Sequence, residues 1–477
     1  MGNIPPRFWS RGKAERFRSH HVRDGGSDSI GPRSVTVLNG KDNPWSERPH
    51  VRRPQFAELS QTSLVLVLDA VSWDVAHQLW EEGYLPGFCE PVPSVSVFPS
   101  FTNVAVPALI HPILGARPLG YEARYYHPPS ATIRGGPDDP EAARPMARYR
   151  SCPQGARDLL AAFCFPQLMI WREVGLLLDR VVNQRGGWLA YASATDCVAH
   201  FAGREALLAV LRKIARRIIS ARDAIEQEEG TAPPVVLTSD HGMAFGRLAY
   251  VSCSAVRETL EAGGFVAGGA GPDGFFLPAM GDIAAGVCFV APERAVIAAR
   301  LLTEIEAIEL VVARRDDESA IVLRGTEKAT IEWRNGRYRY HATCGDPLRY
   351  GSIWAALVRN GAMDADGFVD GDVLLAATWS HDYPDALHRI RRALTDLVAF
   401  PAPVLFSMGS GYTYGPALTH AGSTLLGGQV GTHGGLGLEQ SLGFLSVAGL
   451  PAPPPVVRAE SALIPYSDLV IRGANGD

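Results

Sequence analysis

Short, unbroken apolar runs that stop at aspartate or histidine constrain this 477-residue chain more than any other feature. Leu64-Val-Leu-Val-Leu-Asp69 and Val235-Val-Leu-Thr-Ser-Asp240-His241-Gly242 are the plainest. Ala194-Thr-Asp196-Cys-Val-Ala-His200 follows the run Gly187–Ala192, and Gly431-Thr-His433-Gly434-Gly435 completes the set. A run without polar alternation suits a strand buried on both faces, as parallel strands are. The spacing predicts strands at Ser63–Leu68, Val95–Phe98, Gly187–Ala192 and Val235–Thr238. Helices are expected at Val71–Glu82, from Asn103 (with Pro107 confined to its first turns), at Asp158–Val182 with a break near Pro166, and at Arg204–Glu229. In the last of these Leu207, Leu208, Leu211, Ile214, Ile218 and Ile219 share one side. Strands alternating with helices predict an α/β fold, a doubly wound, mostly parallel sheet flanked by helices.

After Phe245 the pattern changes. Gly264–Gly274 is glycine-rich, with no Gly-Lys-Ser/Thr to make it a phosphate loop. Ala285–Val290, Glu293–Glu306, Ile308–Val312 and Ala320–Leu323 suggest strand, helix, strand, strand. Asn335-Gly336 between two further runs is a hairpin signal. Residues 246–370 are therefore expected to form an inserted, smaller α+β cap domain. The core is expected over 59–245 and again over 371–477, through a helix at Tyr383–Val398, a strand at Val404–Met408 and a helix near Leu438–Leu445. Residues 1–58 are basic, polar and aperiodic, and are expected to be a disordered tail.

Composition narrows the function. A formal charge of −5 gives no support to nucleic-acid binding. The seven cysteines are scattered and never spaced Cys-x-x-Cys, which argues against a disulfide framework or a cysteine-zinc site. No apolar run is long enough to span a bilayer and no signal-like segment starts the chain, so a cytoplasmic location is expected. No Asp, Glu, Lys or Arg occurs between Asp396 and Glu439, a stretch expected to be buried strand and tight loops.

The residues at the run ends carry the chemistry. Asp69 alone could be a helix N-cap. Asp196 and His200, four apart, share one face of a helical turn. Adjacent Asp240 and His241, followed by Gly242, give two ligands where the backbone can bend sharply. His433 sits among glycines. Three aspartates and three histidines can hold two divalent ions, and mixed Asp/His shells suit zinc, with manganese compatible. Phe98-Pro-Ser-Phe-Thr102-Asn103 adds a hydroxyl where a strand turns into a helix. Two cations about 3.5–4 Å apart can serve both the attacking and the leaving oxygen of a phosphate ester. Such a pair could turn Thr102 into a nucleophile. His111, His127, His381 and His388 lack metal-like context, and Arg391-Arg392 reads as a solvated helix face.

These segments together resemble the alkaline phosphatase superfamily, most closely its type I phosphodiesterase / nucleotide pyrophosphatase branch. The match lies in Leu68-Asp69, Phe98-Pro-Ser-Phe-Thr102, Thr195-Asp196-x-x-x-His200, Ser239-Asp240-His241-Gly242-Met243 and Thr432-His433-Gly434. The resemblance implies that Asp196, His200 and His433 share one zinc, and that Asp69, Asp240, His241 and Thr102 share the other. It implies a hydrolase of phosphodiester or nucleotide pyrophosphate bonds acting on a small-molecule phosphate ester or nucleotide. After the nucleophile helix the diesterase branch has Thr-Gly-x-x-Pro-x-x-His-Gly; this chain has Leu114-Gly-Ala-Arg-Pro118-Leu-Gly-Tyr. Asn103, Arg117 or Arg124 is expected to make the substrate contact instead. The Pro-Ser-Phe-Thr102-Asn103 segment also resembles phosphonoacetate hydrolases, which use lysines this chain scarcely has. Phosphomonoesterase, phosphonate hydrolase and phosphomutase chemistry on the same scaffold are the alternatives, and a metal-binding interaction module is a further one.

Overall fold

The structure is a computed structural model that describes residues 60–122, 124–130, 132–136, 145–150, 166–269, 271–278 and 281–476. The expected basic tail, and residues 158–165 of an expected helix, lie outside these.

Six strands form the first sheet, in the order Val457–Arg458, Val92–Val95, Leu442–Ala448, Val235–Thr238, Ser63–Leu68, Gly187–Ala192. Leu442–Ala448 runs against both its neighbours and the other five strands point one way. Helices cover both faces, so the expected mostly parallel α/β sheet is what forms. On one face pack Trp73–Glu81, Pro166–Gln184 and Ala194–Glu229, through residues such as Val75, Leu177, Leu207 and Leu211. On the other lie Thr102–Leu114 and the C-terminal Ser467–Asn475, through Val106, Leu109, Ile110, Leu469 and Val470.

The second sheet has nine strands, in the order Val369–Asp370, Arg337–Cys344, Glu327–Arg334, Ser319–Arg324, Ile308–Arg314, Val404–Met408, Ala285–Val290, Gly274–Phe276, Val266–Ala267. The hairpin at Asn335-Gly336 forms as expected, with φ of 48° and 75°. This sheet does not stand apart. Val104, Ala105 and Ala108 on the second side of the Thr102–Leu114 helix pack with Val287, Leu310, Val312 and Val322. That helix is buried continuously from Val104 to Ile110 because it is clamped between the two sheets, and it is apolar all round for that reason.

Several boundaries differ from the sequence expectations. Val404–Met408, expected in the core sheet, lies in the second sheet between Ile308–Arg314 and Ala285–Val290. The residues after 371 thus serve both sheets. The helix expected near Leu438–Leu445 is one short turn, Leu438–Ser441, followed by the strand Leu442–Ala448. An apolar run of that length has no periodicity to tell strand from buried helix. The strand expected at Val95–Phe98 is Val92–Val95. The helix expected at Arg204–Glu229 forms, but a further helical segment from Ala194 precedes it across a break at Gly203, whose φ of 80° and ψ of −176° suit glycine alone.

Candidate metal centre

Three adjacent parallel strands deliver five of the candidate ligands. Ser63–Leu68 lies between the other two, with Leu68 level with Ala192 and Val67 level with Thr238. Asp69, the Asp196–His200 turn and Asp240-His241 therefore leave the sheet at its carboxyl edge, where open α/β sheets bind ligands. His433 follows the short strand Gly431–Thr432, which pairs with Ala244–Phe245 just past His241. The close fit explains two glycines. A side chain on Gly242 would meet the Glu439 carbonyl at 2.2 Å, and one on Gly434, at φ 109°, would meet the Phe101 ring at 2.9 Å.

The six residues converge as two groups, Asp196–His200–His433 and Asp69–Asp240–His241, with the ligand atoms of each group within 4.8 Å of one another. His200 Nε2 is 3.2 Å from Asp196 Oδ1, and His433 Nε2 is 3.7 Å from the same oxygen. His241 Nε2 is 3.2 Å from Asp240 Oδ2 and 3.5 Å from Asp69 Oδ1. The rings of His241 and His433 stack with centroids 3.9 Å apart, so the two groups adjoin.

Backbone carbonyls orient all three imidazoles. His200 Nδ1 is 2.7 Å from the Gly431 carbonyl, His433 Nδ1 is 2.8 Å from that of Ser100, and His241 Nδ1 is 3.0 Å from that of Gly242. A carbonyl can only accept, so each Nδ1 carries the hydrogen and each Nε2 keeps its lone pair toward the carboxylates. Asp69 Oδ1, Asp196 Oδ1, Asp240 Oδ2 and His241 Nε2 are buried and make no hydrogen bond among the described residues. Orphaned acceptors of this kind are costly unless a cation satisfies them. The donor set fits two divalent ions, and it does so without any cysteine.

The electrostatics agree with that fit. Burial, with repulsion from Asp240 and Asp196, pushes the Asp69 carboxyl well above the usual range, although Tyr191 donates a hydrogen bond to its Oδ2. Burial raises Asp240 too, against the pull of His241. For Asp196 burial is outweighed by His200 and His433, which hold it low. Burial and the neighbouring His241 keep His433 neutral, well below the ordinary histidine value. Three carboxylates in one buried pocket repel each other, and added positive charge relieves them.

Thr102 is the first residue of the Thr102–Leu114 helix, and Phe101 is the N-cap position. Thr102 is therefore not the capping residue. It stands two residues after Ser100, whose carbonyl holds His433 and whose hydroxyl accepts from the Gly434 N–H at 3.1 Å. Asn103 donates to Glu122 Oε2 at 2.6 Å, and Arg124 is the exposed first residue of the strand Arg124–His127. Arg117 donates to the Val398 carbonyl at 2.7 Å.

Sequence reasoning missed Tyr191, Ser100 and Gln440, whose Oε1 accepts from the Gly435 N–H at 2.7 Å. Tyr191 and Ser100 act through partners far along the chain and Gln440 through one five residues before it, and no local pattern marks any of them. Arg392 is not on a solvated face: it donates to Glu460 Oε2 at 2.9 Å and pairs with Asp396 at 2.7 Å. His388 is also paired, with Glu460 at 2.7 Å. A cavity of about 770 Å³ opens elsewhere, bounded by Tyr126, Phe276, Phe289 and Arg315, and none of the six ligand residues lines it.

No family model and no curated protein matches the sequence. Among solved structures, the chain is similar to phosphonoacetate hydrolase from Sinorhizobium meliloti 1021 in complex with phosphonoformate. That match has 12% identity, covers 87% of this chain and 97% of the other, and has a TM-score of 0.47. Murine ectonucleotide pyrophosphatase / phosphodiesterase 5 is similar at 10% identity over 87% and 96% of the two chains, TM-score 0.44. The human counterpart is similar at 9% identity over 86% and 95%, TM-score 0.45. No helix among the described residues is long and apolar enough to cross a membrane.

Proposed function

We propose that the protein is a two-metal phosphoesterase in which Thr102 is the nucleophile, with phosphodiester or nucleotide pyrophosphate bonds as its substrates. One observation carries this reading: two adjoining groups of three ligands, with four buried polar atoms left without partners between them. Asp196, His200 and His433 would hold one ion and Asp69, Asp240 and His241 the other, with Thr102 Oγ beside the second. When bound, the ions supply Lewis acidity at the phosphoryl oxygens and lower the pKa of a nearby hydroxyl. Thr102 loses its proton, attacks phosphorus and displaces the leaving alcohol or phosphate. The substrate's other ester group stays on phosphorus, so the intermediate is a phosphate diester of Thr102, which water then hydrolyses to free threonine and a phosphate monoester. The N–H groups of Thr102 and Asn103, at the start of the helix, would offer the phosphoryl group a favourable place for negative charge. The scarcity of lysine argues against a substrate that needs ammonium groups on a carboxylate: Lys213 instead lies over the Trp171 ring, and Lys328 is in the second sheet.

The test is Thr102→Ala with a chromogenic aryl diester. Turnover is expected to fall by about three orders of magnitude or more while metal content stays at wild-type level. Acid quenching of the wild type should trap the monoaryl phosphoryl group of the substrate on Thr102. Near-normal turnover of the variant would overturn the covalent route, and full activity after metal removal would overturn the metal reading.

A further inference from the structure

The Ala386–Thr395 helix sends one side chain into the junction behind the candidate centre. Arg389 is 2% exposed; the buried Asp385 at the N-cap of the same helix attracts it through space, but the hydrogen bonds of that carboxylate go to Arg458. Its Nη2 donates to the carbonyls of Val97 at 3.1 Å and Gly435 at 3.3 Å. Its Nη1 donates to Ser441 Oγ at 2.8 Å and to the carbonyls of Pro384 and Leu436 at 3.2 and 3.3 Å. All five acceptors are neutral. Burying a charge without an ion pair is expensive, and burial lowers the Arg389 pKa to about 10. The planar guanidinium offsets this by reaching carbonyls on two loops at once, which an ammonium group cannot do in the same way.

The identity of those loops gives the contact its meaning. Val97 immediately precedes the Phe98–Thr102 segment. Gly435 and Leu436 follow His433 by two and three residues. A second stitch joins the same loops, because Ser100 holds both His433 Nδ1 and the Gly434 N–H. Arg389 is the only ionic group in this pair of stitches.

We infer that Arg389 is a positioning residue that fixes the Thr102 loop against the His433 loop, and so sets the nucleophile's place relative to the His433 ion. This rests on the reading of Thr102 and His433 given above, and its test includes a readout that does not.

Arg389→Lys keeps the charge but not the planar fork. In the zinc-loaded protein kcat on the aryl diester is expected to drop by about 100-fold with KM little changed, the effect of a misplacement near 1 Å. The zinc ion at the His433 group is expected to be lost to a chelator first. In metal-free protein, hydrogen exchange is expected to rise in segments 97–103 and 431–437 together and to stay unchanged in the Ser63–Leu68 strand. Ser441→Ala, which removes one anchor and keeps the arginine, is expected to show the same pattern more weakly, and it serves if Arg389→Lys does not fold. Unchanged exchange in the two segments, or a rise spread over the whole chain, overturns the inference. So does a lower melting temperature with kcat and both zinc affinities intact. If exchange rises as expected but the wild type neither binds zinc nor needs Thr102, the positioning stands and the proposed function fails.

Discussion

Each candidate histidine gives its Nδ1 hydrogen to a backbone carbonyl, His200 and His433 across the fold and His241 to its neighbour Gly242, so each Nε2 is aimed before any ion arrives. Pre-aimed donors make the two groups separable in principle, although the His241 and His433 rings touch. His433→Ala removes a donor from one group only. It should leave a protein that retains about one tightly held zinc in place of two, read by metal analysis after dialysis, because two ligands rarely hold zinc at neutral pH. Asp240→Ala removes a donor from the other group and should abolish turnover on the aryl diester. Loss of both ions in both variants to the same degree would show that the groups act as a single site.

At the scale of elements, the charged cluster behind the sheet shows how the C-terminal segment is held. Glu460, on the short helix Ala459–Ala462, bonds His388 at 2.7 Å and Arg392 at 2.9 Å, both from the Ala386–Thr395 helix. Burial alone would raise the Glu460 carboxyl, but His388 and Arg392 together hold it far below its ordinary 4.5. A folded-state value below the unfolded one gives stability that is full above pH 4.5 and is lost as the pH falls toward the folded value. Glu460→Gln should therefore destabilise the protein by about 2–4 kcal/mol at neutral pH, and the difference from wild type should shrink on acidification below the unfolded value. Denaturant melts at neutral and acid pH measure this. A constant difference at all pH values would assign the loss to packing.

Over the whole molecule, the two sheets share a helix, and the second takes in a strand that sequence order would not assign to it. The Thr102–Leu114 helix is packed on one side by the first sheet and on the other by the second. Val404–Met408 lies after the expected insertion yet sits inside the second sheet, bonded on both edges. Excising residues 246–370 would remove both neighbours of that strand and bare its edges. The truncated chain is expected to be insoluble or unfolded, and not a trimmed enzyme of altered specificity. The intact protein should unfold in one transition followed alike by calorimetry and circular dichroism. Two separate transitions, or a soluble, folded truncation, would show that the second sheet is an independent unit.

What the sequence by itself determined is local. The uninterrupted apolar runs marked Ser63–Leu68, Gly187–Ala192 and Val235–Thr238 as buried strands, because a strand buried on both faces has no room for polar residues. The Asp and His residues at their ends were visible for the same reason, as polar groups placed where such a run stops. The structure gathers these five, with His433, into two groups. Only the tertiary structure decided the rest. Leu442–Ala448 is a strand because Leu445 lies level with Thr238 on one side while Val92 lies level with Leu445 on the other, and its own residues suit a buried helix equally well. Tyr191, Ser100 and Arg389 matter through atoms contributed by residues 122, 333 and up to 292 positions away. Hydrophobic periodicity records which way a side chain faces. It holds no record of which distant backbone carbonyl or carboxylate will stand opposite, and that pairing is what builds the site.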